Sequence, residues 1–152
     1  NLLSERISIR DLPTILESLS DGIQTTKNIT QLTEMVRQRL SRQICTNHLD
    51  FEGILNIVAL SGAWEKEFSA SIHVDGDERQ LAMEPTKVQQ FIKNTRDIFD
   101  AQMMNGLQPV LLTSPSMRPF VRSVIERALP SISVMSQAEI HPRIKIKTVA
   151  SI

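Results

Sequence analysis

The residues with chemical potential are few and scattered. Cys45 stands three positions before His48, a C-x2-H pair, while His73 and His141 lie far along the chain. A structural zinc site needs four ligands at recognisable spacing, and with a single cysteine no second pair exists, so Cys45 and His48 read as ordinary helix-end residues and no metal is expected. Asp75-Gly76-Asp77-Glu78 concentrates carboxylates but lacks the loop pattern and closing glutamate of a calcium site, and reads as a solvated turn. In Thr113-Ser114-Pro115-Ser116 the hydroxyls of Ser114 and Ser116 are candidate nucleophiles, yet no G-x-S-x-G elbow surrounds them and no histidine is placed to serve them; helix capping explains Ser114. The five glycines form neither G-x-x-x-x-G-K-[ST] nor G-x-G-x-x-G, so no nucleotide cradle and no cofactor is expected. One anion-binding reading survives. A strand at 109–113 feeding a helix mouth near Ser114 and Arg118 can hold a phosphate through free N–H groups and the helix dipole, which makes a small α/β anion-binding regulator or enzyme the alternative reading.

The charges of the first third raise a different possibility, association. R-D-L-P-T-I-L-E-S-L (10–19) places Leu12, Ile15, Leu16 and Leu19 on one helical stripe, with Pro13 in the first turn, Asp11 as N-cap and Arg10 beside it. Asn28 caps a second helix to about Cys45, whose apolar side gathers Ile29, Leu32, Met35, Val36 and Leu40. At about 100° per residue, Arg39 and Gln43 project from the middle of that side, while Arg37 and Arg42 lie elsewhere along the same helix, Arg37 as the more exposed comparison to Arg39. Either Arg39 snorkels to water, or this side meets another subunit's carboxylate. The second reading makes Arg39→Glu more damaging to assembly than Arg37→Glu.

These residues need elements to hold them. Everything to about residue 48 reads as helical. The β-branched run 54–60, ended by Ser61-Gly62, reads as a buried strand, and Asp75-Gly76-Asp77 as a turn. Pro85-Thr86 opens a long helix with Val88, Phe91, Ile92, Ile98, Phe99 and Met103 on its stripe, a Thr86/Gln89 capping box, and Asn105-Gly106 at its end. Strand 109–113, a helix carrying Phe120, Val121, Val124, Ile125 and Leu129, and strand 132–135 form a βαβ unit with parallel strands near the sheet centre. The alternating 144–148 reads as an edge strand protected by Lys145 and Lys147. The expected fold class is therefore mixed α+β: an all-helical subdomain (1–48) followed by a small α/β subdomain (53–152) with a central parallel strand pair. Val110, Leu112, Phe91, Ile92, Val121 and Val124 are expected in its core.

Composition narrows the function. With 152 residues the chain can bury roughly 70% of its unfolded surface, and 17 basic against 17 acidic residues leave no field to gather nucleic acid. One cysteine excludes an internal disulfide and fits a reducing compartment. No apolar run reaches the roughly 18 residues of a membrane span. Asn1-Leu2-Leu3-Ser4 reads as the tail of a helical turn, so a longer protein, with any membrane anchor upstream, is expected.

The order of the motifs carries a resemblance. S-I-R-D-L-P-T-I-L-E (8–17), T-K-N (26–28), V-R-Q-R-L-S-R-Q-I-C (36–45), L-A-M-E-P (81–85), G-L-Q-P-V-L-L-T-S-P (106–115), R-P-F-V-R (118–122) and L-P-S-I-S-V-M-S-Q-A-E-I (129–140) resemble, in sequence order, the FHIPEP family, the large export-gate subunit of type III secretion systems in flagella and virulence injectisomes. Val134-Met135-Ser136 stands where V-L-S is common, a volume-conserving change. The resemblance implies a non-enzymatic role in protein export, downstream of an N-terminal membrane block. It implies a homo-nonameric ring at the cytoplasmic face of the bacterial inner membrane, with this chain supplying the end of the third and all of the fourth cytoplasmic subdomain. It also implies other export components, chaperone–substrate complexes and export-switch proteins as partners, and leaves Arg10, Asp11 and Glu17 available to a neighbouring protomer. Overall texture favours the injectisome branch.

Overall fold

The computed structural model describes residues 1–76 and 78–152, so the predicted turn is seen except for Asp77, which falls outside the described residues. A 3-10 turn at Leu3–Glu5 precedes helices α1 (Leu12–Ile23), α2 (Ile29–Arg39) and α3 (Ser41–Thr46). Strand β1 (Ile54–Ala59), helix α4 (Gly62–Ala70), the hairpin β2 (Ile72–Asp75) and β3 (Glu78–Leu81), and helix α5 (Pro85–Met104) follow. Then come β4 (Val110–Thr113), α6 (Arg118–Ala128), β5 (Val134–Ser136), a 3-10 turn at Gln137–Glu139, and β6 (Lys145–Ser151).

Four strands form one parallel sheet in the order β5-β4-β1-β6, and β2 pairs with β3 alone. The parallel pair predicted from 109–113 and 132–135 is present as β4 and β5, with Leu112 opposite Met135. In the four-strand order β5 forms an edge, and the pair at the centre is β4 with β1. β6 is the other edge, its lysines exposed as expected.

Both faces of the sheet are covered, which is why β1 and β4 read as unbroken apolar runs. Leu55, Ile57, Val110, Leu112 and Met135 pack against Ile7, Ile15, Val36, Leu40, Ile44 and Cys45 of the first third. Val58, Leu111 and Val134 pack on the opposite face against Phe68, Phe91, Phe99, Val121 and Ile125 from α4, α5 and α6. Phe91 is met edge-on by Phe68 and Trp64, with ring centroids 5.0 and 5.1 Å away. Of the expected core residues, Ile92 is half-buried and the other five are buried. The change of texture near Gly53 is thus a change of element type, and the first third shares its core with the sheet.

Asp11 and Asn28 cap α1 and α2 as predicted, accepting N–H groups from Thr14 at 3.3 Å and from Thr30 and Gln31 at 2.9 and 3.2 Å. Three expectations change. The helix from 28 to 45 breaks at Leu40, whose backbone (φ −88°, ψ 10°) separates α2 from α3, and nothing in the sequence marks the break. Pro85 starts α5 two residues earlier than a Thr86 cap would, with Glu84 as N-cap, so Thr86 lies inside the first turn and forms no cap. On α1 the buried face is Ile15, Ser18 and Gly22, leaving Leu12 and Leu16 at 53% and 62% exposure. Close packing on α2 explains that rotation: a Cβ on Gly22 would stand 2.7 Å from Leu32 Cδ2, so small residues must face the neighbour.

The entry to β1 is fixed by Asp50. Its Oδ1 accepts the N–H groups of Glu52 and Ile54, each at 2.9 Å, and its Oδ2 accepts the amide of buried Asn56 at 2.9 Å. The Ile54 N–H first, then the Asn56 amide, hold the Asp50 carboxyl below its ordinary value. A depressed folded-state value means stability that is present above the ordinary aspartate range and lost as pH falls through the depressed one. Urea titrations should therefore find Asp50→Asn less stable than the parent at neutral pH, with the gap closing as the solution is acidified through that window. A gap independent of pH would show that the charge of Asp50 contributes nothing.

Candidate functional site

The helix mouth considered for anion binding is already filled. Glu65, in the first turn of α4, accepts the Thr113 hydroxyl at 2.8 Å and the Ser114 N–H at 2.8 Å on Oε1, and the Ser114 hydroxyl at 2.7 Å on Oε2. The carboxylate takes the donors a phosphate would have used, in accord with the positive end of a helix dipole. Ser114 makes no side-chain cap for α6, because its hydroxyl is spent on Glu65. Arg118 points elsewhere and is 1% exposed. The structure does not bring Ser114 and Arg118 together into a site.

Arg118 instead belongs to a buried cluster of six charges that the sequence reading did not find. Glu5, at the end of the first 3-10 turn, and Glu34 and Arg37 of α2 meet Arg118 and Arg122 of α6 and Glu139 of the second 3-10 turn. Arg118 Nη2 binds Glu5, Nη1 lies 2.5 Å from Glu34 Oε1, and Nε donates to the Val134 carbonyl at 3.1 Å while sitting 3.3 Å from Glu139 Oε2. Arg37 Nη1 lies 3.0 Å from Glu5 Oε2, and Arg37 Nε 2.6 Å from Glu139 Oε1, an ion contact without the alignment of a hydrogen bond. Arg122 Nε is 3.8 Å from Glu5 Oε2, and its Nη1 donates to the Ile132 carbonyl at 3.2 Å. The backbone of Arg6 reverses the chain at φ 58°, directly after Glu5.

Three cations and three carboxylates balance; the arginines and Glu139 are buried, and Glu5 and Glu34 are half-buried at the edge of the cluster. Burial pushes the Glu34 carboxyl up, with Arg118 pulling the other way; burial first, then the like charge of Arg118, pushes Arg37 down. Breaking such a pair is costly because it leaves a buried charge without its counter-ion. The signal was present in part. Arg118 and Arg122 stand at i, i+4 beside the buried Val121 and Ile125, and Glu34 and Arg37 at i, i+3, but the partners lie 84 and 113 residues away in sequence.

The interface candidates separate into two groups. Arg10, Asp11, Glu17 and Arg42 are exposed. Arg39 is exposed too, and its Nη2 pairs with Asp21 Oδ2 of α1 at 3.1 Å. Arg37, at 2% exposure, is inside the ion cluster and presents nothing to a neighbour. The sequence placed Arg39 inward and Arg37 outward; the structure reverses them, because the buried face of α2 is turned toward Val36, Arg37 and Leu40 and leaves Ile29 at 70% exposure. Gln43 donates to the Ser8 carbonyl at 3.2 Å.

Cys45 and His48 serve packing: the thiol donates to the Glu139 carbonyl at 3.1 Å, and the His48 ring lies 2.8 Å from the Ile44 carbonyl and 3.0 Å from the Ser133 hydroxyl. Burial holds the Cys45 thiol above its ordinary value. Among the described residues no three His, Cys, Asp or Glu side chains gather as metal ligands, and no helix is long and apolar enough to cross a membrane.

Comparison with known proteins adds the decisive observation: the FHIPEP family profile matches residues 1–145. The chain belongs to the FHIPEP family. The flagellar biosynthesis protein FlhA of Caulobacter vibrioides is 48% identical over 152 residues, which is 100% of this chain and 22% of that protein. The low calcium response locus protein D of Yersinia pestis is 28% identical, covering 99% of this chain and 21% of that protein. The chain therefore spans about a fifth of the length of the curated relatives it matches. Among solved structures, the Shigella flexneri MxiA protein superposes with a TM-score of 0.88 at 31% identity, covering 99% of this chain and 49% of the other. Nonameric EPEC SctV-C gives 0.87 at 29%, covering 99% and 45%. The FHIPEP fold thus extends over essentially the whole chain.

The two kinds of ion pair should separate cleanly in this FHIPEP chain. Arg118→Met leaves Glu34 without its counter-ion and takes one of the cations that Glu5 and Glu139 share, and should cost about 3–5 kcal/mol in urea unfolding. Arg39→Ala removes an exposed pair and should cost about 0–1 kcal/mol. Equal costs would show that the buried cluster does not hold the fold.

Proposed function

We propose that this chain is the ring-forming and docking end of a type III export gate, without catalytic activity, attached in the full-length protein to the cytoplasmic face of the bacterial inner membrane. The observation that carries this reading is the likeness over 99% of the chain to nonameric EPEC SctV-C. The engagement of Ser114 by Glu65 supports it, and Ser116, the other candidate nucleophile, is exposed with no histidine bonded to it. Residues 1–48 act as the end of the helical third subdomain and 53–152 as the fourth. The flagellar branch, not the injectisome favoured by overall texture, is the better assignment, because identity to FlhA of Caulobacter vibrioides is 48% against 28% to the Yersinia pestis protein. A solved complex of the Chlamydia pneumoniae CdsV and CdsO proteins supports an export component as partner, and chaperone–substrate complexes and export-switch proteins complete the expected set.

The ring contact, in this reading, uses α1. Leu12, Leu16 and Ile23 are 53%, 62% and 58% exposed on a helix whose mouth carries Arg10 and Asp11, with Glu17 beside them and Arg39 and Arg42 on the adjoining helices. An apolar strip rimmed by charge is the usual anatomy of an interface core and its rim. The head-to-tail contact of a ring repeats at each junction, so one substitution acts on all of them.

The test is a chimera in which this segment replaces the matching part of the Caulobacter vibrioides relative, scored for motility and, on its cytoplasmic region, for sedimentation. Motility and ring-sized species are expected from the parent segment, and loss of both from Leu16→Glu at unchanged protein level. A motile Leu16→Glu chimera would remove α1 from the contact, and an immotile parent chimera at normal level would contradict the export assignment.

A further inference from the structure

A groove of about 910 Å³ runs between the α1–α2 connection, α2, β3, α5 and α6. Its apolar floor is Leu81, Met83, Val88, Ile92, Phe120 and Val124. One wall is a strand with an open edge. Among the described residues β3 pairs with β2 alone, and the four-strand sheet does not reach it. Ala82 N–H donates to the Ser71 carbonyl at 2.8 Å, and Leu81 stands opposite Ile72. In an antiparallel pair the main-chain groups alternate in direction, so those of Glu78 and Gln80 aim at β2 while those of Arg79 and Leu81 aim away from it, and the groove is lined by β3 and not by β2. Unpaired strand N–H and C=O groups are a template for another strand.

The lining also has a charge preference. Arg79 and Arg127 stand on the rim, and Glu34 is the one carboxylate in the lining among the described residues. That carboxylate is held at 2.5 Å by Arg118, so it does not offset the rim cations. The groove therefore offers an apolar floor, a row of main-chain donors and acceptors, and cations at its rim.

We propose that this groove binds an extended peptide segment of a partner protein, which adds to the outer edge of β3 as a further strand. The segment places apolar side chains at alternate positions onto the floor and carries acidic residues at its ends. Strand addition supplies the main-chain hydrogen bonds, and the pocket for alternate side chains supplies the selectivity. The groove is formed within one chain and needs no ring.

The experiment titrates a short synthetic peptide, alternating leucine and threonine with an aspartate at each end, into the isotopically labelled chain and follows its amide resonances and their hydrogen exchange. Saturable shifts at the groove are expected, with slowed exchange of the Arg79 and Leu81 amides. The same peptide N-methylated on the amides of one edge should lose binding, which tests strand pairing without altering the protein. Arg127→Glu, an exposed position, should weaken the aspartate-ended peptide by a few-fold and favour a lysine-ended one, as one rim ion pair allows. Absence of saturable binding, equal binding of the N-methylated peptide, or loss of both peptides alike in Arg127→Glu would overturn the proposal. So would Arg79 and Leu81 amides already protected in the longer protein, which would mean that its own polypeptide covers the edge.

Discussion

The cluster of Glu5, Glu34, Arg37, Arg118, Arg122 and Glu139 is the constraint on which the arrangement of the molecule depends. Three of its members come from the first 48 residues and three from α6 and the turn after β5, so it crosses the seam between the helical third and the sheet. Hydrophobic contact alone is tolerant of sliding and repacking. A set of buried charges is not, because a displacement that separates any pair leaves a desolvated ion alone. Arg118 is the hinge of the set: it touches Glu5, Glu34 and Glu139 and also donates to the backbone of β5. The apolar core over the same sheet face then closes around a fixed frame.

That frame explains where the chain's surfaces are. With α2 turned to bring Arg37 inward, Arg39, Ile29 and the outer side of α1 are left in solvent. Gly22 and Ser18 let α1 lie close against α2, which in turn commits Leu12, Leu16 and Ile23 to the outside. On the far side of α2, Glu34 is at once a member of the ion cluster and part of the groove wall beside β3. Meanwhile Glu65 closes the α6 mouth with the fold's own carboxylate. Ser114, Cys45 and His48 are turned to architecture, and an apolar strip and an open strand edge are left free, which suit contact with other polypeptides.

Much of this was legible in the sequence wherever the cause was local. Asp11 and Asn28 as caps, Pro13 in a first turn, Gly106 after α5 and the apolar runs of β1 and β4 follow from neighbours within a turn or two, and all stand as read. The ordered motifs pointed to the FHIPEP family, and the family match extends over residues 1–145. What failed was long-range. The direction of α2 could not be read from its apolar residues because a buried arginine, paired with residues 32 and about 100 positions away, helps to set it. The helix mouth looked open because its occupant, Glu65, lies 49 residues earlier in the chain. The groove had no sequence signal at all, since it is assembled from separate elements and its defining feature is an unpaired backbone edge.

If the ion cluster fastens the helical third to the sheet, the two open together. Native-state hydrogen exchange across a urea series measures this directly, by comparing the amides of Val36 and Arg37 in α2 with that of Leu111 in β4. Both sets are expected to converge on one opening free energy with the same urea dependence. An α2 that exchanges through a separate, markedly cheaper opening while β4 stays protected would contradict this.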